Sequence, residues 1–159
     1  MVELIVVMVL IGIISTIAIS RFFERTSFDT VAWTDQVRAM LRYGQKIAIA
    51  QNRPVFVLLQ ADRVALCFQA DAACPPAQQV AAPGGVNNDT AATATLCAQP
   101  SWMCAGRPDD VRMAVPGAWI AFDALGRASA PVAAAQQIAI SGNDVQRTLT
   151  VELETGYVD

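Results

Sequence analysis

The chain has 159 residues, of which 54% are apolar and 16% are charged, and its formal net charge is −3. This length suits one ordinary domain with its own core, and the mild acidity argues against a nucleic-acid surface, which normally carries a basic patch. Because the sequence contains no histidine, it lacks the commonest general base and the commonest metal ligand. We therefore expect no enzymatic activity, no cofactor and no metal.

The N-terminal end is strongly apolar. Residues 4–20 read LIVVMVLIGIISTIAIS and carry no charge; as a helix they span about 25 Å, at the short limit for a bilayer core of roughly 30 Å. The alternatives are a cleaved signal peptide, a plain membrane anchor, and a membrane helix with a further role. A signal peptide begins with basic residues, whereas this segment begins with Glu3. A plain anchor leaves Glu3 unexplained, because ionisable groups beside an apolar span are costly and usually functional.

Residues 2–14, VELIVVMVLIGII, resemble the N-terminal segment of type IV pilins and of type II secretion pseudopilins. Glu3 matches the glutamate that closely follows the methylated N-terminus of those proteins. The resemblance implies that the helix is stored in the bilayer before assembly, and that the carboxylate of Glu3 then pairs with the N-terminal amine of a neighbouring subunit. The residues that it assigns to the filament-core helix are Leu4, Ile5, Val6, Val7 and Gly12.

The family's basic leader, its cleavage-site glycine and the Phe-Thr pair that follows are not found before Val2. We expect the coding DNA upstream to encode a short basic leader ending in Gly-Phe-Thr. The resemblance further implies three kinds of partner: other pilins or pseudopilins, a prepilin peptidase that also methylates the N-terminus, and an inner-membrane assembly platform. The implied location is the inner membrane, with a single pass and a periplasmic head, and then a pilus or pseudopilus.

An amphipathic helix is predicted to continue over residues 21–53. Apolar residues recur at spacings of three and four from Trp33 to Ala48, with charged residues between them. A capping box formed by Thr26 and Asp29 would start a separate helix, whereas the family favours one helix of about 50 residues, roughly 75 Å long. Pro54 ends the helix, since the residue before a proline is biased toward an extended conformation.

The rest of the chain is predicted to form antiparallel strands. A hairpin is expected from Val55–Gln60 and Arg63–Gln69, followed by a long excursion over residues 70–110, which are rich in turn-forming residues. Four further strands are predicted at Val111–Val115, Trp119–Asp123, Gln137–Ser141 and Thr148–Glu154. The fold class is therefore α+β, with a long N-terminal helix packed on an antiparallel sheet. The resemblance makes this the pilin fold.

We divide the chain into an apolar transmembrane or filament-core helix (1–23) and a periplasmic head (24–159), with the amphipathic helix at 24–53 and the sheet at 54–159. Three segments of the head resemble the minor-pilin and pseudopilin H branch, and most closely the minor pilins of the mannose-sensitive haemagglutinin type. They are residues 43–55 (YGQKIAIAQNRPV), 122–127 (FDALGR) and 154–158 (ETGYV).

The function that this resemblance implies is that of a minor type IV pilin or pilin-like subunit, which assembles into a pilus filament or initiates it. The first alternative is a minor pseudopilin of a type II secretion system, which would serve protein export. The second is a DNA- or surface-binding receptor at a pilus tip. The C-terminal residues 151–159 are acidic and would repel phosphate, which argues against DNA binding.

Four cysteines occur as two pairs, each with six intervening residues. A zinc site would favour closer pairs, usually with histidine, and an even count beside an export-type segment predicts disulfides. Four cysteines allow three connectivities. The favoured pairs are Cys67–Cys74 and Cys97–Cys104, because each closes a short loop at an edge of the excursion.

Overall fold

A computed structural model describes residues 2–87, 90–97, 99–132, 135–143 and 145–159, and the side chains of residues 15–26 lie outside this description. One helix, α1 (Val2–Gln51), contains 50 residues and is about 75 Å long. The expectation of a single long helix is confirmed, because the backbone is helical through the predicted capping box at residues 26–29. The helix ends before Asn52, whose φ of 50° is the left-handed conformation that often terminates helices.

In the part of the chain that the structure describes, eight strands and a second, short α-helix follow α1. They are β1 (Val55–Leu59), β2 (Arg63–Cys67), α2 (Ala91–Leu96), β3 (Cys104–Gly106), β4 (Arg112–Ala114), β5 (Trp119–Phe122), β6 (Ala128–Ser129), β7 (Gln136–Gly142) and β8 (Val145–Val151). The strands form a five-stranded sheet of order β3-β2-β1-β5-β6 and a three-stranded sheet of order β4-β7-β8, in which all pairs are antiparallel. The predicted α+β class is thus confirmed.

The strands differ from the sequence expectation at three places. The β1–β2 hairpin forms as predicted, with Val57 opposite Leu66. Strands β3 and β6 are not predicted, because they are too short for an alternating pattern to be recognised in the sequence. The predicted last strand, Thr148–Glu154, is wrong at both ends. A turn at Asn143 (φ 48°) lets β8 begin at Val145, and β8 ends before Glu152.

The main core lies between α1 and the two sheets. The helix contributes side chains that recur at three- and four-residue spacings, and the strands contribute one side of their alternating pattern. Its largest members include Trp33, Met40, Leu41, Leu66, Ile120, Phe122, Ile138, Ile140 and Leu149, all buried. Close packing is possible because Gly44 lies over β1, where a Cβ would stand 3.1 Å from a methyl of Val57.

A second, smaller core covers the opposite face of the five-stranded sheet. Leu58 and Ala65, whose side chains alternate with those facing α1, pack with Trp102 and the four cysteines. Disulfides join Cys67 to Cys74 and Cys97 to Cys104, which is the short-loop pairing favoured from the sequence. Because β3 lies within the predicted excursion (70–110), the excursion of the structure is the segment between β2 and β3, residues 68–103. The disulfides hold it against the sheet.

Candidate functional site

The first quarter of α1 is uncovered by the rest of the chain. All residues from 2 to 14 are exposed, and the exposed fraction of the large apolar side chains there runs from 48% at Val7 to 75% at Val2. These side chains point in every direction around the helix axis, because consecutive helical residues are 100° apart. A helix that is apolar all round is stable only when lipid or other helices cover it, so this segment needs one or the other around it.

The filament-core residues predicted from the sequence all lie in this uncovered segment. Leu4, Ile5, Val6 and Val7 are exposed, and a Cβ added to Gly12 would meet no atom within 4 Å. Gly12 therefore has no packing role within the described chain. A small residue on an apolar helix permits close approach of a second helix.

Glu3 lies in the first turn of α1 and is exposed. A carboxylate there is favoured by the positive end of the helix dipole. Within the described part of the chain it forms no hydrogen bond or ion pair, so its charge is available to a partner. The predicted pairing with a neighbouring subunit's amine concerns a second chain and stays a prediction.

The predicted membrane span, residues 4–20, extends beyond the residues whose side chains the structure describes, since residues 15–20 fall outside them. Among the described residues, no helix holds a stretch long and apolar enough to cross a membrane. The same residues contain no cluster of three or more histidine, cysteine, aspartate or glutamate side chains suited to a metal ion.

The second half of α1 is fixed to the head by polar side chains that flank its buried face. Arg42 donates to the carbonyl of Val158 at 2.9 Å, and the hydroxyl of Tyr43 donates to the carbonyl of Ala81 at 3.1 Å. Both acceptors are remote from α1 in sequence. The head therefore holds α1 from two sides and leaves its N-terminal segment projecting.

The three segments of the head that resemble the H branch meet at one point. The amide of Gln45 donates to the carbonyl of Gly126 at 2.8 Å and to that of Thr155 at 3.4 Å. Gly126 (φ 81°) and Gly156 (φ 66°) lie in direct contact, because a Cβ on Gly156 would overlap the carbonyl of Gly126. These glycines serve packing, and we call this contact the Gln45 junction.

The turn that carries Gly126 is built around Asp123. Its carboxylate accepts hydrogen bonds from the backbone N–H groups of Leu125 and Arg127, each at 2.9 Å, which is a common way for aspartate to shape a turn. The sequence identified FDALGR as a family-like turn, but its partners across the Gln45 junction could not be read from the sequence. The groove beside α1 that is lined by Arg42 and Lys46 could not be predicted from the sequence either, because its second wall comes from the excursion.

A long N-terminal helix that packs its second half on antiparallel strands and projects an apolar N-terminal segment, here residues 2–14, is the pilin fold. Among solved structures, the chain is similar to the type IV minor pilin FimU of Pseudomonas aeruginosa strain PAO1 in two crystal forms. In the first, the match covers 86% of this chain and 87% of that chain, with a TM-score of 0.51 and 15% identity. In the second, it covers 79% and 86%, with a TM-score of 0.50 and 16% identity.

At these identities the likeness concerns the fold. No protein-family model matches the chain, and no curated protein matches it in sequence. The α+β pilin fold predicted from the sequence is confirmed.

Proposed function

We propose that the chain is a minor type IV pilin or pilin-like subunit that enters a filament, or initiates one, through the N-terminal segment of α1. The observation that carries the proposal is the apolar segment 2–14, which is exposed on every side and continues into the head within the same helix, α1. Such a segment needs either lipid or neighbouring helices around it. The pilin fold, shared with a type IV minor pilin, favours a segment that is covered first by lipid and later by neighbouring helices.

In this proposal the head stays folded while α1 changes its surroundings. Residues 4–20 hold the subunit in the inner membrane with the head in the periplasm, and the same residues later pack in the filament core. Processing and methylation by a prepilin peptidase, and extraction by an inner-membrane assembly platform, are parts of the proposal that follow from the resemblance. The subunit performs no chemistry itself.

Glu3 sets the axial position of the subunit in the proposed filament. Its carboxylate pairs with the N-terminal amine of a neighbour, in surroundings that other apolar helices keep free of water. Removing one member of such a buried pair strands the other charge, and this is usually far more costly than losing an exposed ion pair. The effect of a Glu3 substitution on assembly should therefore be large.

We expect Glu3→Ala to lower incorporation into filaments by roughly tenfold or more, because the neighbour's buried charge is left without a partner. The measurement is the ratio of subunit in sheared filaments to subunit in the membrane fraction, by quantitative immunoblot. The control is Glu154→Ala, which removes an exposed acid of the head and should leave the ratio within about twofold.

Equal incorporation of Glu3→Ala and the unsubstituted chain would show that Glu3 only marks the edge of the apolar segment. A type II secretion pseudopilin remains the alternative assignment of the same fold. Deleting the gene would then abolish export of secreted enzymes and leave the number of surface pili unchanged, which is the opposite of what we expect.

A further inference from the structure

An open groove of about 560 Å³ runs along the solvent side of α1, between the helix and the excursion. Its helix wall carries Arg38, Arg42 and Lys46, and its opposite wall carries Pro83 and Met103. The three cationic residues are spaced by four positions, so each stands one turn, or about 6 Å, above the last. We call this feature the cationic groove.

The charge of the cationic groove is only partly neutralised within the chain. Arg38 forms an ion pair with Asp35 at 2.5 Å, and its Nε donates to the backbone carbonyl of Asp159 at 3.2 Å, so Asp159 also lies beside the groove. Arg42 uses one nitrogen on the carbonyl of Val158, which is neutral. Among the described residues Lys46 has neither a hydrogen bond nor an ion pair. Among the described residues, neither Arg42 nor Lys46 therefore has an acidic partner, on a chain whose net charge is −3.

Three other arginines of the head make contacts inside the fold. The guanidinium of Arg53 stands 3.5 Å from the centre of the Phe68 ring, and Arg63 donates to the carbonyl of Leu96 at 2.7 Å. Arg107 donates to the carbonyl of Ala61 at 2.7 Å. These side chains fasten loops to strands, whereas Lys46 and the free N–H groups of Arg42 face an open groove.

We propose that the cationic groove binds an extended acidic segment of a neighbouring filament subunit, with carboxylates at alternate positions. Side chains on one side of an extended segment recur at about 6.6 Å, close to the spacing of about 6 Å between Arg42 and Lys46 along the helix. The second wall, at Pro83 and Met103, provides apolar contact for the stems of the acidic side chains. The occupant is a filament subunit, so this inference rests on the proposed function.

The dimensions and charge of the groove favour a short peptide over nucleic acid. A volume of about 560 Å³ falls in the range of sites for small ligands, roughly 300–1,000 Å³. Nucleic-acid surfaces are larger and much more positively charged, whereas this groove has three cations and the chain as a whole is acidic. An acidic segment of a partner protein is short enough to bind through the positive charge of the groove alone.

The test uses the full chain in neutral detergent and two capped peptides, one with glutamate at alternate positions (Glu-Ala-Glu-Ala-Glu) and one with glutamine in place of each glutamate. We expect calorimetry to show at least about fivefold tighter binding of the acidic peptide. Lys46→Glu should weaken its binding by about fivefold or more. Arg147→Glu, which makes the same charge change at an exposed site on β8, should stay within about twofold.

Equal weakening of peptide binding by the two charge reversals would overturn the proposal. It would show that the peptide is attracted to the overall charge of the protein and not to this groove. So would equal binding of the acidic and glutamine peptides, or binding of neither. Tighter binding of a 12-nucleotide single strand that Lys46→Glu abolishes would assign the groove to nucleic acid and overturn the peptide assignment.

The peptide experiment measures no assembly, so its failure is distinct from failure of the proposed function. In cells, lower incorporation for Lys46→Glu than for Arg147→Glu supports the groove. Normal incorporation of Lys46→Glu together with loss for Glu3→Ala overturns the groove alone. Normal incorporation of Glu3→Ala counts against the proposed role of the N-terminal segment, whatever Lys46 does.

Discussion

Substituting Gly156 by alanine is expected to lower the free energy of unfolding by about 3–5 kcal/mol. Gly156 has a φ of 66°, in the left-handed region that costs other residues about 1–2 kcal/mol. An added Cβ would also overlap the carbonyl oxygen of Gly126 and stand 2.6 Å from Nε2 of Gln45. The two turns would have to separate, and the hydrogen bond from Gln45 to Gly126 would be lost.

Gly84→Ala is the matched control for the Gly156 substitution. Gly84 also has a positive φ, of 80°, but a Cβ there would meet no atom within 4 Å. It should therefore show only the backbone cost, about 1–2 kcal/mol. The measurement is urea unfolding of the full chain in detergent, followed by near-ultraviolet circular dichroism. A loss in Gly156→Ala no larger than that in Gly84→Ala would contradict the close contact at the Gln45 junction.

Truncating Trp102 to alanine is expected to cost about 3–5 kcal/mol. The side chain is 2% exposed and packs with the cysteines of the second core, so its removal leaves a large cavity. Its indole N–H also donates to the carbonyl of Leu66 on β2 at 2.8 Å. Because Trp102 joins the excursion to the sheet, residues 68–103 should become more sensitive to limited proteolysis at the same time.

Two variants separate the contributions of Trp102. Trp102→Phe keeps most of the volume and removes the hydrogen bond, which should cost about 1–2 kcal/mol. Trp119→Ala removes an indole that is only partly buried and meets Phe56 edge-on at 5.4 Å, so it should cost about 1–2 kcal/mol. Comparable losses for Trp102→Ala and Trp119→Ala in urea unfolding would show that the excursion is not held by this anchor.

The sequence predicts the features that depend on local pattern. A charge-free run and a three- and four-residue apolar periodicity identify α1, including Trp33 and Leu41 on its buried face. Alternation on both sides of Ala61 identifies the β1–β2 hairpin. The cysteines fall in short, evenly spaced pairs, and the disulfides of the structure close the two short loops.

Features that depend on long-range packing could not be predicted from the sequence. Gln45 and Gly126 are 81 positions apart, and Arg42 and Val158 are 116 apart, so no local pattern joins them. Short strands such as β3 are stabilised by a neighbour, here β2, and have little pattern of their own. The cationic groove could not be predicted for the same reason, because its two walls come from α1 and from the excursion, which are far apart in the sequence.

We propose that the apolar segment of α1 places this chain in a filament. The most direct measurement is the amount of chain in sheared, purified surface filaments, quantified by mass spectrometry against the major subunit. We expect the chain to be present and to resist removal by high salt, since apolar helix contacts are not screened by ions. Filaments of normal number that lack the chain, with all of it in the membrane fraction, would contradict the proposed role of this segment in assembly.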